Sequence, residues 1–292
     1  MKSENKPSTI NPQILFIVGA TATGKSDLAL RVAERLGGEI ICADSQTIRR
    51  GLDIGTAKPS KEQQKRVKHY LIDIVEPYER FSVAEFQQCA RQAISEIQVK
   101  GKLPIVVGGS GLYVDALFYD YDLSEQEDNQ VLRGKLESMT VAELQQYIES
   151  QRWPMPENSQ NPRHLIGTIL RGGKRAQNDV PIIGAQIVGI NRTDEDLKAR
   201  IAKRIQTMFE QGLVDEVESV LRTFGPPPKK FDALCYPIIS RYLCGELTLD
   251  EAINVLNRSD WQYVRKQRAW FKRNPYIVWF TDENMAFEHI CS

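Results

Sequence analysis

The 292-residue chain contains no apolar run approaching the roughly 18–20 residues that a membrane span requires. Its start, MKSENKPSTINP, lacks the apolar stretch of a signal peptide, and residues 1–12 read as a flexible tail. Net charge is also missing: 38 basic residues balance 38 acidic ones. That argues against a wholesale polyanion binder and leaves room for a local basic face. Cysteine is sparse. Cys42, Cys89, Cys235, Cys244 and Cys291 are odd in number, widely scattered and never spaced C-x-x-C, which excludes a disulfide framework and a thiolate zinc site. A reducing, cytoplasmic location is therefore expected. The three histidines, His69, His164 and His289, do not cluster, and no internal repeat is visible. What remains is an ordinary globular composition, 41% hydrophobic and 26% charged, long enough to bury a core without metals or cross-links.

Apolar periodicity organises the first half as alternating strands and helices. ILFIVGA (14–20), EIICAD (39–44), HYLIDIV (69–75) and PIVVGG (104–109) read as buried strands. Helices are expected over Lys25–Leu36 and Ser82–Lys100, the latter opened by a capping box of Ser82 and Glu85. This alternation predicts an α/β fold with a parallel sheet flanked by helices. From 122 to 178 strand character disappears and short amphipathic helices such as VAELQQYIES predict a small helical insertion. Strand character returns in PIIGAQIVGINR (181–192), followed by a helix over Asp194–Gly212 and a stiff GPPPKK connector. Helices at about 235–245 and 248–273 and a last strand, YIVWF (276–280), complete the chain. The expected division is a core over 13–121, the insertion over 122–178, and the rest of the core over 179–292.

Residues 19–26, GATATGKS, match G-x-x-x-x-G-K-[ST] between a predicted strand and a predicted helix. Each position has a physical reason. Gly19 and Gly24 let the backbone of Ala20, Thr21, Ala22 and Thr23 curl so that its N–H groups face a phosphate. Lys25 adds a point charge, Ser26 offers a hydroxyl to Mg²⁺, and the helix presents its positive end. The motif identifies a phosphate ligand without choosing ATP. After the second strand, Asp44 stands where parallel sheets place ligand-facing side chains.

These residues sit within a longer pattern. GATATGKS is followed by DSQ-x-x-x-x-G-x-DIGTAKP (44–59), FSVAEF (81–86) and PIVVGGSGLY (104–113). In that order and spacing the chain resembles the tRNA dimethylallyltransferase (tRNA isopentenyltransferase) family. The resemblance is weaker through GLVDEV (212–217), YLCGEL (242–247) and QYVRKQRAWFKRN (262–274). It implies a P-loop NTPase-like fold whose insertion faces tRNA. The implied reaction moves a dimethylallyl group from dimethylallyl diphosphate to the exocyclic amine of the adenosine 3′ of the anticodon. By that resemblance the loop holds diphosphate with Mg²⁺, Asp44 accepts the amine proton and Ser110 supports catalysis. Ser45, Gln46, Arg163, Tyr236, Arg265, Lys266 and Gln267 face adenine or the tRNA anticodon stem-loop. A cytoplasmic monomer with no membrane contact is expected.

Residues 258–273 support an RNA partner, with Arg258, Arg265, Lys266, Arg268, Lys272 and Arg273 against Asp260 alone. Trp261, Tyr263, Trp270 and Phe271 interleave with them, as stacking surfaces for bases or as core. Three positions depart from the family. Gly167 stands where a second Arg of a Gln-Arg-x-x-Arg helix is expected. Cys235-Tyr236-Pro237-Ile238 replaces Gly-Tyr-Lys/Arg-Glu/Gln, and Trp261 replaces an Arg. Retained donor chemistry with altered RNA recognition is the expectation. The competing readings are a small-metabolite P-loop kinase, a prenyl transferase acting on free nucleotides, and a degenerate binding protein.

Overall fold

The computed structural model describes residues 13–123, 129–173, 180–228, 231 and 235–292. The expected tail (1–12), the ends of the expected insertion (124–128 and 174–178) and the last two residues of GPPPKK lie outside these. The chain runs β1 (Ile14–Gly19), α1 (Lys25–Leu36), β2 (Glu39–Cys42), α2 (Lys61–Arg66), β3 (His69–Tyr70), α3 (Val83–Val99), β4 (Pro104–Gly108) and α4 (Gly111–Phe118). It continues through α5 (Asn129–Glu137), α6 (Val141–Ser150), α7 (Pro162–Leu170), β5 (Ala185–Ile190), α8 (Asp194–Glu210) and α9 (Leu213–Phe224). The last elements are α10 (Cys235–Leu243), α11 (Leu249–Phe271), β6 (Val278–Phe280) and α12 (Glu283–Cys291). Two compact units result: residues up to Leu117 together with Ile183–Ser292, and Phe118–Ile182.

The larger unit holds one six-stranded sheet of order β3-β2-β4-β1-β5-β6 in which every pairing is parallel. β1 is apolar and buried at every position before its glycine, as a strand covered on both faces must be. Phe16 stands opposite Val106 on one side and Ile187 on the other. The chain leaves β1 toward β2 on one side of the sheet and later adds β5 on the other. The crevice beyond β1 therefore lies where parallel sheets bind ligands. Leu15 and Ile17 pack with Leu28 and Val32 of α1 and Ala286 and Ile290 of α12. A second core joins α8 to α11 through Leu197, Ile201, Val217, Ile239 and Leu256.

The smaller unit is helical among its described residues, with Leu136, Leu144, Ile148, Leu165, Ile166 and Ile169 forming its core. Thr140 and Glu143 box the start of α6, and Asn161 caps α7 with proline in its first turn.

The expected capping box of Ser82 and Glu85 is present, with Ser82 Oγ accepting from the Glu85 N–H at 3.2 Å and Glu85 Oε2 from the Ser82 N–H at 2.7 Å. HYLIDIV differs from its expectation. It is a strand only at His69–Tyr70, because Leu71 (φ 61°) and Asp73 (φ 56°) turn left-handed, and pairing resumes at a single bridge between Arg49 and Val75. Helices α2, α4, α9 and α12 are additions to the expected set.

Candidate active site

The loop after β1 is held from three sides. Thr23 Oγ1 donates to Ala20 O (2.9 Å), and Lys25 Nζ donates to the same carbonyl (3.2 Å). Arg192, just past β5, donates to Thr23 O (2.8 Å) and pairs with Asp196 and with Glu283 at the start of α12. Gly24 has φ 96°, and a Cβ there would collide with the Glu283 carboxylate, so only glycine closes the loop. Ser26 is exposed in the first turn of α1. One expected phosphate-facing N–H is committed elsewhere: Thr21 N–H donates to Gln267 Oε1 at 2.8 Å.

Asp44, Ser45, Gln46 and Ser110 lie together at the ends of β2 and β4. Asp44 Oδ1 accepts the Gln46 N–H (2.8 Å), which leaves Oδ2 for the cavity that Asp44 lines. Ser110 Oγ accepts the Ser45 N–H (3.1 Å), and Gln46 Nε2 donates to Ser45 Oγ (3.2 Å). Gln46 Oε1 and Thr47 Oγ1 are buried with no hydrogen-bond partner among the described residues. Buried polar atoms are rarely left so, and Thr47 also lines the same cavity.

The phosphate loop and Asp44 line one cavity of about 300 Å³. Lys25, Ser26, Asp27 and Arg204 form its polar side, and Leu30, Ile40, Cys42 and Val107 its apolar wall. Arg204, on α8, was not anticipated. Its Nε has no hydrogen-bond partner among the described residues, and its charge is felt by both Lys25 and the buried Asp260. Burial pushes Lys25 down to about 8, Asp44 opposing and Arg204 adding to the shift. His69, also on the wall, is lowered by burial and therefore neutral at pH 7, its Nδ1 lying 2.8 Å from Val67 O. The arrangement suits an anion joined to a short apolar group.

The Lys25 shift makes a pH prediction. An anion bound in the loop favours the protonated amine. Above about pH 8 the free protein loses that proton, so binding must take one up and affinity must fall. Calorimetry with pyrophosphate between pH 7 and 9.5 is expected to show weakening with proton uptake. The slope is read against Lys25→Met, and equal slopes would contradict it.

DIGTAKP is built as a support. Glu216 of α9 accepts the N–H groups of Asp53 (2.9 Å), Ile54 (2.7 Å) and Gly55 (2.9 Å), and the Tyr236 hydroxyl at 2.6 Å. The Lys58 side chain is 2% exposed and donates to Asp53 and Asp73 carboxylates, each at 2.5 Å. This loop walls the cavity through Thr56, Ala57 and Pro59. Glu216→Ala strands three N–H groups and is expected to lower stability by about 2–4 kcal/mol in denaturant unfolding; a change below about 0.5 kcal/mol would contradict that support.

Other expected site residues divide. Arg265 and Lys266 are exposed on α11, as a nucleic-acid contact requires, and Arg163 is exposed at the start of α7. Tyr236 is 2% exposed, and its hydroxyl donates to Glu216. Gln267 is buried likewise, being 5% exposed with both ends of its amide bonded within the protein. Phe271 is core, whereas Trp261 packs partly buried beneath Lys198, whose Nζ lies 5.0 Å from its ring centroid. At Gly167 a Cβ would lie 3.0 Å from Arg171 Nη1, so the Arg171 guanidinium stands beside the position that lacks its arginine. No helix of the described residues is long and apolar enough to cross a membrane.

The family described as IPP transferase matches residues 47–274. The tRNA dimethylallyltransferase of Pelotomaculum thermopropionicum is 37% identical, covering 98% of this chain and 95% of its own length. That of Alkaliphilus oremlandii is 38% identical over 93% and 92%. Among solved structures, the full-length tRNA isopentenylpyrophosphate transferase of Bacillus halodurans superposes with TM-score 0.72 at 33% identity, covering 95% of this chain and 94% of that one. A eukaryotic dimethylallyltransferase acting on tRNA shares the fold at TM-score 0.75 and 21% identity, covering 93% of this chain and 74% of that one.

Proposed function

Since this chain belongs to the IPP transferase family, we infer that it transfers a dimethylallyl group from dimethylallyl diphosphate to tRNA. The acceptor is the exocyclic amine of the adenosine 3′ of the anticodon. The observation that carries the reading is one cavity lined by the phosphate loop, Arg204, Asp44 and an apolar wall.

In the proposed reaction the bond between the allylic carbon and the diphosphate oxygen breaks, and the oxygen keeps the electron pair. A bond from the amine nitrogen to that carbon forms, and the amine proton passes to Asp44. An aryl amine is a poor nucleophile, while an allylic diphosphate ionises readily. Catalysis therefore rests on neutralising the leaving group and holding the amine in line. Lys25, Arg204 and the loop N–H groups do the first. Asp44 does the second, with Ser45, Gln46 and Ser110 shaping the adenine side. The apolar wall takes the five-carbon group and excludes water from the allylic carbon.

Among the described residues no cluster of three or more His, Cys, Asp or Glu side chains could hold a metal by itself. Ser26 and the neighbouring carboxylate Asp27 fit the sparse way Mg²⁺ is bound, with one or two protein ligands and the rest from substrate phosphate and water. Bound there, Mg²⁺ would neutralise charge on the diphosphate. We place Arg265, Lys266 and Arg163 on the tRNA backbone. The five cysteines, all unpaired, suit a reducing cytoplasm.

Labelled dimethylallyl diphosphate with Mg²⁺ and either tRNA or AMP tests the reading. Label is expected in tRNA. Label in AMP alone would support a transferase for free nucleotides, and label in neither would refute transfer.

A further inference from the structure

Gln267 lies on the inward face of α11 with Val264 and Phe271, while its neighbours Arg265 and Lys266 face solvent. Its side chain reaches across the fold to two loops. Oε1 accepts the Thr21 N–H of the phosphate loop at 2.8 Å, and Nε2 donates to Gly109 O, beyond β4, at 3.0 Å. The fit at Gly109 is close, since a Cβ there would collide with Gln267 Nε2. One turn further along α11, Trp270 lies against Gly111, where a Cβ would strike the indole, and donates to Asp115 Oδ2 at 2.6 Å. Ser110 sits between these two glycines, and its hydroxyl holds Ser45 beside Asp44.

The side-chain amide therefore bridges the loop bearing Lys25 and the turn bearing Ser110. Few other side chains can do this, because the bridge needs an acceptor at one end and a donor at the other. Glutamate loses the donor, and leucine or methionine loses both.

We propose that Gln267 is a positioning residue that clamps the phosphate loop to the Ser110 turn and so sets the distance between leaving group and amine. The helix whose outer face carries Arg265 and Lys266 thus holds the donor loop from its inner face. This rests on the reading that the loop holds the donor's diphosphate.

The test compares wild type, Gln267→Leu, Gln267→Glu and Lys266→Ala. Calorimetry measures pyrophosphate with Mg²⁺, and a gel shift measures an unmodified anticodon stem-loop. Wild-type binding of pyrophosphate is measured first, and its absence refutes the donor site itself. Given that binding, Gln267→Leu is expected to weaken pyrophosphate about tenfold and leave the stem-loop within about twofold. Gln267→Glu should behave similarly, and Lys266→Ala should do the reverse. A Gln267→Leu protein that binds pyrophosphate normally and the stem-loop weakly would overturn the clamp and return Gln267 to tRNA contact. A general loss of fold would lower melting temperature and both affinities together. Hydrogen exchange at the Thr21 amide of the wild type tests the clamp independently of any variant. Protection supports it, and exchange as fast as an open loop overturns it.

Discussion

Asp44→Asn is expected to slow prenyl transfer by about 100- to 10,000-fold, the usual contribution of a positioned general base. The amide keeps the shape of the carboxylate, so its Oδ1 can still accept the Gln46 N–H and the turn between β2 and the DIGTAKP loop stays in place. What it loses is the ability to take the amine proton. Pyrophosphate affinity should change little, because Lys25, Arg204 and the loop amides remain. Single-turnover transfer with saturating donor and tRNA, beside calorimetry with pyrophosphate, measures both. A variant with wild-type rate would remove Asp44 as the base.

Lys25→Ala is expected to act on the other half of the reaction and to lose about 100- to 1,000-fold in transfer rate, as deletion of a preorganised group facing developing charge commonly does. Here the ammonium lies inside the loop, within the influence of Asp44 and Arg204, and it donates to Ala20 O. Unlike Asp44→Asn, this change should also weaken pyrophosphate binding. The pair therefore separates the two roles: loss of rate alone at Asp44, loss of rate and affinity at Lys25. Equal pyrophosphate affinity in Lys25→Ala and wild type would show that the anion is held elsewhere. An Arg204→Ala protein would then be the first to compare.

Both sites were visible in the sequence because they lie within short contiguous motifs next to buried strands. β1 and β4 carry unbroken apolar runs, so a parallel sheet and a ligand crevice at their carboxyl ends followed from pattern alone. The supports were much less visible. Glu216 reads as one acid among several on an amphipathic helix, yet it gathers three N–H groups from a segment more than 160 residues away. Arg204 belongs to a helix charged along much of its length, and only the packing of α8 beside the phosphate loop brings it to the cavity. Gln267 and Tyr236 lie in stretches that the family resemblance assigns to tRNA, and their burial and internal partners appear only in the structure. The shortening of β3 follows from left-handed turns at Leu71 and Asp73; Asp73 suits such a turn, but Leu71 does not, and the apolar residues around them read as a continuous strand. The two basic positions missing at Gly167 and Pro237 were legible as losses, while the guanidinium of Arg171 beside Gly167 appeared only in the structure.

The central claim is that one cavity joins an allylic diphosphate to an exocyclic adenine amine. It is tested most directly by single-turnover transfer from labelled dimethylallyl diphosphate to two anticodon stem-loops. They are identical except that one carries adenosine and the other inosine, which lacks the amine, immediately 3′ of the anticodon. Label is expected to appear in the adenosine stem-loop at that nucleoside, with none in the inosine one. Label in both, or in neither while pyrophosphate binds normally, would contradict the account.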